Sequence, residues 1–243
     1  MPSNRRLPEN REIHVWYKGL DSASREAPRV LPYLSPDERQ RAERFHFDQH
    51  RNEFILSRGT LRLVLASYLG SSPEALSFDY SKYGKPALSD MYAAQKLNFN
   101  LSHTAGMMLL AVARERRIGV DVEKIRSDFN VLEIAERFFS PQEQSRLRNI
   151  PEISQYDVFF GCWTRKEAYI KAKGEGLSIP LRDFDVSLDP ESATLLATRP
   201  DETEARKWKM LNVPITSHYA AAVVVEGDSS SVFDMTVQEV QDL

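Results

Sequence analysis

The chain has 243 residues, 42% of them hydrophobic and 28% charged, with a formal net charge of −3. That is enough apolar material for one large core or two smaller ones, and nothing in the near balance of charge suggests a nucleic-acid binder. Cys162 is the single cysteine, which excludes an internal disulfide and a zinc ribbon and fits a reducing compartment.

In chain order, residues 1–11 are polar and expected to be loose. They lack the apolar run of a signal peptide, and no apolar run long enough to span a membrane occurs elsewhere, so a cytoplasmic protein without membrane or nucleic-acid partners is expected. Ile13-His14-Val15-Trp16 alternates as a strand does, and Ser35-Pro36-Asp37-Glu38 combines an N-cap serine, a proline at the first helical position and acids in the first turn. A helix with Phe54, Leu61, Val64, Leu65 and Tyr68 on one face is predicted to run to Gly70. Phe78 to Ser81 predicts a short strand before the turn Tyr83-Gly84-Lys85-Pro86. Leu97–Leu101 and Met107–Ala113 predict strands that Ser102-His103-Thr104-Ala105-Gly106 interrupts.

The same signals then return in the same order. Ile118-Gly119-Val120 follows Ile13-His14-Val15 by 105 positions, and Ser140-Pro141-Gln142-Glu143 follows Ser35-Pro36-Asp37-Glu38 by 105. Thr164-Arg165 follows Ser57-Arg58 by 107, Phe184-Asp185-Val186-Ser187 follows Phe78-Asp79-Tyr80-Ser81 by 106, and Ser217-His218-Tyr219-Ala220 follows Ser102-His103-Thr104-Ala105 by 115. The predicted fold class is therefore α+β, a pseudo-dimer of two similar halves, each a helix packed on a small, mostly antiparallel sheet. The expected divisions are a loose segment at 1–11, an N-terminal half at 12–115, a C-terminal half at 116–226 and a C-terminal tail at 227–243.

Chemistry separates the halves. Where the first has Trp16, Lys18 and Thr60, the second has Asp121, Glu123 and Glu167. Asp121 and Glu123 fall on one face of a strand. A helix from about Ser154 carries Tyr156, Phe159, Phe160, Trp163 and Ile170 as an inward stripe, with Glu167 in that stripe and Lys171 one turn later. A solvated edge strand and an intrahelical Glu167–Lys171 ion pair are the plainer explanations. Taken together, three carboxylates without neighbouring His or Cys favour Mg²⁺ or Mn²⁺ over zinc, and nearby lysines suggest a phosphate or pyrophosphate substrate. Candidate cations are Lys85 in its turn, Arg39, Arg41 and Arg44 on the first helix, and Lys166, Lys171 and Lys173 around Glu167. Ser102 and His103 suit phosphate contact better than hydrolysis, since neighbours on extended chain point apart. His46 and His50 have metal spacing but lack a third ligand.

The motifs YGKP, FNLSHT, IGVDVE, FFSPQE and WTRKEAYIKAKGEGL, in that order, resemble those of the 4′-phosphopantetheinyl transferases, specifically the larger monomeric type that activates peptide and polyketide synthetases. The resemblance spans about Ile13 to Val225. It implies a pseudo-dimer that binds coenzyme A between its halves and transfers the phosphopantetheine arm to a serine of an apo carrier protein, releasing adenosine 3′,5′-bisphosphate. It further implies Asp121, Glu123 and Glu167 as Mg²⁺ ligands. Lys85, Pro86, Ser102 and His103 would hold the nucleotide and its phosphates, and Lys171 the pyrophosphate. Arg41 would meet the 3′-phosphate, with Arg44 and Arg51 as alternatives. Glu167, directly or through a water, would accept the serine proton. Carriers of this family are acidic helical domains, so their docking surface is expected near Phe129–Phe139 with Arg126 and Arg137. Two other readings use the same residues: a metal-dependent nucleotide pyrophosphate hydrolase, and a non-enzymatic nucleotide-binding module.

Overall fold

The structure, a computed structural model, describes residues 5–241. The remainder of the expected loose start and of the expected tail, 1–4 and 242–243, lies outside the described residues. The first run of elements is β1 (Glu12–Gly19), α1 (Ala23–Val30), α2 (Pro36–Ala42), α3 (Asp48–Leu69), β2 (Phe78–Tyr80), β3 (Pro86–Leu88), β4 (Leu97–Thr104) and β5 (Met107–Arg114). The second is β6 (Ile118–Lys124), α4 (Val131–Phe138), α5 (Pro141–Arg148), α6 (Glu152–Lys173), β7 (Phe184–Val186), β8 (Leu195–Thr198), β9 (Trp208–Asn212), β10 (Tyr219–Glu226) and β11 (Asp234–Glu239).

The repeat is visible in the elements. Helices α3 and α6 are both 22 residues long, and each stops on a left-handed glycine, Gly70 (φ 61°) and Gly174 (φ 76°), where a side chain would be strained. A short helix with a capping box precedes each: the Ser35 N–H donates to Glu38 Oε2 at 3.1 Å, and the Ser140 N–H to Glu143 Oε2 at 2.9 Å. Both capping acids are also buried anchors for the long helix. Glu38 accepts from Arg58 (2.9 and 2.6 Å) and Arg62 (2.6 Å) of α3. Glu143 pairs with Lys166 of α6 at 2.8 Å and accepts the Val186 N–H of β7 at 2.8 Å.

Two sheets, ordered β11-β1-β5-β4 and β6-β10-β9, form the centre. All neighbours are antiparallel except β1 and β11. Each sheet packs one face on its own long helix. The other faces meet each other through Ile13, Val15, Leu109, Ala111, Ile118, Val120, Val122, Val223 and Val225. With both faces covered, Met107–Ala113 and Ala221–Val225 read as unbroken apolar runs and not as alternating ones. After Gly227 the chain returns to the first half and pairs β11 with β1.

Two boundaries differ from the expectation. Strand β4 continues through Ser102, His103 and Thr104, so only Ala105-Gly106 turns the chain, with Gly106 at φ 82°. These polar residues stay extended because partners for their hydroxyls arrive from the other half. Helix α6 begins at Glu152, directly after Pro151, ahead of the predicted start near Ser154.

Candidate active site

The site lies at the seam where β4 of the first sheet runs beside β6 of the second. The two strands sit in different sheets, and side chains of β4 do what a backbone ladder would. Asn100 Oδ1 accepts the Val120 N–H at 2.8 Å, Ser102 Oγ donates to Asp121 Oδ1 at 2.8 Å, and Thr104 Oγ1 donates to Glu123 Oε2 at 3.1 Å. Alternation puts these three β4 residues on one side, so a single strand fixes both acids of its neighbour.

Helix α6 approaches β6 at Gly119. A Cβ there would lie 2.2 Å from the Ala168 carbonyl oxygen and 2.3 Å from the Ala172 nitrogen, so only glycine lets the helix lie this close. Glu167 and Lys171, the residues preceding those two alanines, are thereby carried to Asp121. Lys171 Nζ donates to Asp121 Oδ1 at 2.5 Å and to Ser102 Oγ at 3.0 Å. The plainer alternative, an intrahelical Glu167–Lys171 ion pair, gives way to these bonds across the seam.

Asp121 is 3% exposed and Glu123 and Glu167 are half-buried, and the electrostatics follow. Burial, with Asp121 and Glu123 adding repulsion and Lys171 opposing it, pushes the Glu167 carboxyl up to about 7. Burial also raises Asp121 against the pull of Lys171 and Ser102, and burial with the Asp121 charge raises Glu123. Asp121 Oδ2 is buried without a hydrogen-bond partner. Among the described residues no three His, Cys, Asp or Glu side chains are gathered tightly enough to clasp a metal ion as they stand. An orphaned carboxylate oxygen and three mutually repelling acids nonetheless make a hard-oxygen donor set that a divalent cation fits.

The other predicted residues divide. Desolvation lowers the His103 imidazole, with Lys171 and Arg41 lowering it further and Glu53 opposing them. The Arg41 guanidinium lies over the Phe54 ring at 5.4 Å. Arg39 turns away, donating to the carbonyls of Leu34 and Pro32, while Arg44 reaches Gln40 and Arg51 pairs with Asp48. Pro86 opens β3, opposite Tyr80. Lys85 Nζ donates to the carbonyls of Ile118 (3.0 Å) and Lys171 (2.6 Å), and burial with Arg117 nearby lowers it to about 8. Two of the lysines expected around Glu167 are elsewhere. Lys166 is fully buried on Glu143 and the carbonyls of Leu181 and Phe184, and Lys173 pairs with Glu204 at 2.8 Å. Helical geometry explains this, since residues one before Glu167 and two beyond Lys171 point to other faces. His46 and His50 belong to no metal cluster among the described residues.

Asn100 and Thr104 carry no role in the sequence reading, although the period-2 polar pattern Asn100, Ser102, Thr104 inside an apolar strand was a usable signal. Beside Glu123, a cavity of about 380 Å³ is lined by Arg126, Phe129, Ile134, Phe138, Phe159, Phe160 and Trp163, on the segment expected to receive a carrier.

Comparison with known proteins adds independent findings. Residues 117–224 match the family model of the 4′-phosphopantetheinyl transferase superfamily, and residues 21–115 match that of the 4′-phosphopantetheinyl transferase N-terminal region. The chain is 39% identical over 216 residues to 4′-phosphopantetheinyl transferase HetI of a Nostoc species, covering 89% of this chain and 88% of that one. It is 32% identical over 177 residues to 4′-phosphopantetheinyl transferase Sfp of Bacillus subtilis, covering 73% and 76%. With the mouse L-aminoadipate-semialdehyde dehydrogenase-phosphopantetheinyl transferase it shares 27% identity over 82% of this chain and 69% of that one.

Proposed function

The chain belongs to the 4′-phosphopantetheinyl transferase superfamily, and on that premise we propose that its seam is where coenzyme A gives up the phosphopantetheine arm to a serine of an apo carrier protein. Of the three readings the sequence left open, the transferase is the one the relatives bear out, and neither the hydrolase nor the binding module is. One observation carries the assignment of the site: the Asp121 carboxylate of β6, the Lys171 ammonium of α6 and the Ser102 hydroxyl of β4 meet at one desolvated point between the halves, and the charges of Asp121 and Glu123 act on the Glu167 carboxyl.

In the proposed reaction the carrier serine oxygen attacks the β-phosphorus of coenzyme A, the bond to the bridging oxygen breaks, and adenosine 3′,5′-bisphosphate leaves. Glu167 accepts the serine proton directly or through a water. Lys171, already at the site, meets the pyrophosphate and stabilises the charge that develops on its oxygens. Ser102, His103 and Arg41 hold the nucleotide phosphates, and the turn ending at Pro86 borders the nucleotide. Asp121, Glu123 and Glu167 would hold Mg²⁺ or Mn²⁺, which when bound supplies positive charge against the diphosphate.

The carrier docks beside Glu123, on Arg126, Phe129 and Phe138, where an apolar wall with Arg126 at its edge suits a helical domain. A single chain supplies both sides of the seam, which supports action as a monomer. No helix among the described residues is long and apolar enough to cross a membrane, and a cytoplasmic setting, where cysteines are kept reduced, suits a chain whose single cysteine, Cys162, is free and buried. Incubation with coenzyme A, Mg²⁺ and a panel of apo carriers tests the reading. A mass gain of one phosphopantetheine on the carrier is expected; no gain on any carrier, or release of phosphate products without one, would overturn it.

A further inference from the structure

Lys85 stands on the tip of the β2–β3 hairpin of the N-terminal half, in a turn locked by its own hydrogen bonds: Gly84 N–H to the Ser81 carbonyl at 2.8 Å, and Lys85 N–H to Ser81 Oγ at 3.1 Å. Gly84 takes φ 79° there, which fixes the direction in which the lysine leaves. That direction is toward the C-terminal half. The hairpin tip packs on the end of α6: side chains built on Gly174 and Gly176 would meet Lys85 Cδ at 3.9 Å and Tyr83 at 3.5 Å.

The ammonium ends on two backbone carbonyls, one from each of the two elements that meet at Gly119. One, of Lys171, is in the last turn of α6, where helical carbonyls lack partners and a cation is favoured. The other, of Ile118, opens β6, one residue before the close approach at Gly119. The two elements so joined are those carrying Glu167 and Lys171 on one side, Asp121 and Glu123 on the other. We propose that Lys85 is a positioning residue: a strut from the first half that pins the end of α6 to the start of β6 and so sets the spacing of the acids, with its ammonium spent on carbonyls and not on the phosphates of coenzyme A. The inference rests on the transferase reading for its kinetic consequence, but the strut itself is a statement about α6 and β6 alone.

K85M and K85R separate the possibilities. By hydrogen exchange and mass spectrometry, K85M is expected to speed exchange in the last turn of α6 by about tenfold. The matching turn of α3, which ends at Gly70, serves as an internal control and stays unchanged. In the transfer assay K85M is expected to lower kcat by between about 10- and 100-fold, as a small misplacement of reacting groups does, with KM for coenzyme A within about threefold of wild type. K85R, which keeps a charge and several donors, is expected to recover part of both effects. Unchanged exchange in α6 would overturn the strut. So would a KM for coenzyme A raised tenfold with kcat retained, the signature of a lost phosphate contact, or a complete failure of K85R to recover either effect. Should the wild-type protein itself transfer nothing, the transferase reading falls, while the exchange comparison still decides the strut.

Discussion

Burial beside Asp121 and Glu123 lifts the Glu167 carboxyl from its usual value to about 7, which has two consequences of definite sign. A raised carboxyl pKa means that the folded state binds the proton more tightly than the unfolded chain, so stability declines as pH rises from about 4.5 toward 7. A divalent ion taken up near pH 7 must also displace protons from these acids. Calorimetric Mg²⁺ titration of the coenzyme A complex in two buffers of different ionisation enthalpy is therefore expected to report proton release, reduced in E167Q; buffer-independent heats would contradict it. E167Q is expected to cut turnover by more than about 10² while the metal-free melting temperature at pH 7 holds or rises, because a charge no longer has to be buried. The acids themselves were legible in sequence because they differ between two otherwise matching halves. Lys166 and Lys173 misled, since proximity in sequence to Glu167 says nothing of the helix face.

At the scale of elements, the contact of α6 with β6 depends on Gly119. G119A has to push the helix backbone away from a strand that other bonds hold; a loss of about 1–3 kcal/mol in stability is expected, together with a fall in kcat larger than the change in KM for coenzyme A. Denaturant titration and steady-state kinetics check the pair, and an unaltered kcat would show that the spacing does not matter. The Glu38 anchor behaves oppositely to Glu167. Burial alone would raise its carboxyl, but Arg58, Arg62 and the Ser35 N–H outweigh burial and hold it below the usual range. Its contribution is therefore present above about 4.5 and lost as pH falls below that value. E38Q is expected to cost about 3–5 kcal/mol at pH 7 by stranding two buried guanidinium groups and to flatten the acid limb of the stability profile, measured by chemical denaturation across pH. The helices and caps were readable because they depend on local signals, the capping boxes and terminal glycines. The end of β4 was not, because Ser102 and Thr104 remain extended only by virtue of partners from β6, some 20 residues on.

As a whole the molecule is two similar halves facing each other through an apolar layer, with one seam chemically equipped and its counterpart filled. At the counterpart positions Trp16 is 3% exposed and donates to the Tyr68 hydroxyl at 2.9 Å, Lys18 lies 2.7 Å from Glu26, and Thr60 is fully buried. Titration is accordingly expected to saturate at one coenzyme A per chain; two equivalent sites would mean that the filled seam also binds. The repeat itself was legible from five ordered motifs, whereas the return of β11 to β1 was not, since nothing in the segment after Gly227 says which sheet edge it will join. In the proposed site, acids of β6 and α6 would converge on a single divalent ion against which a diphosphate is cleaved. The most direct measurement is anomalous diffraction from crystals grown with coenzyme A and Mn²⁺. One peak is expected at the seam, about 2.1 Å from oxygens of Asp121, Glu123 and Glu167; a peak held by other residues, with those three acids turned away from it, would contradict the account.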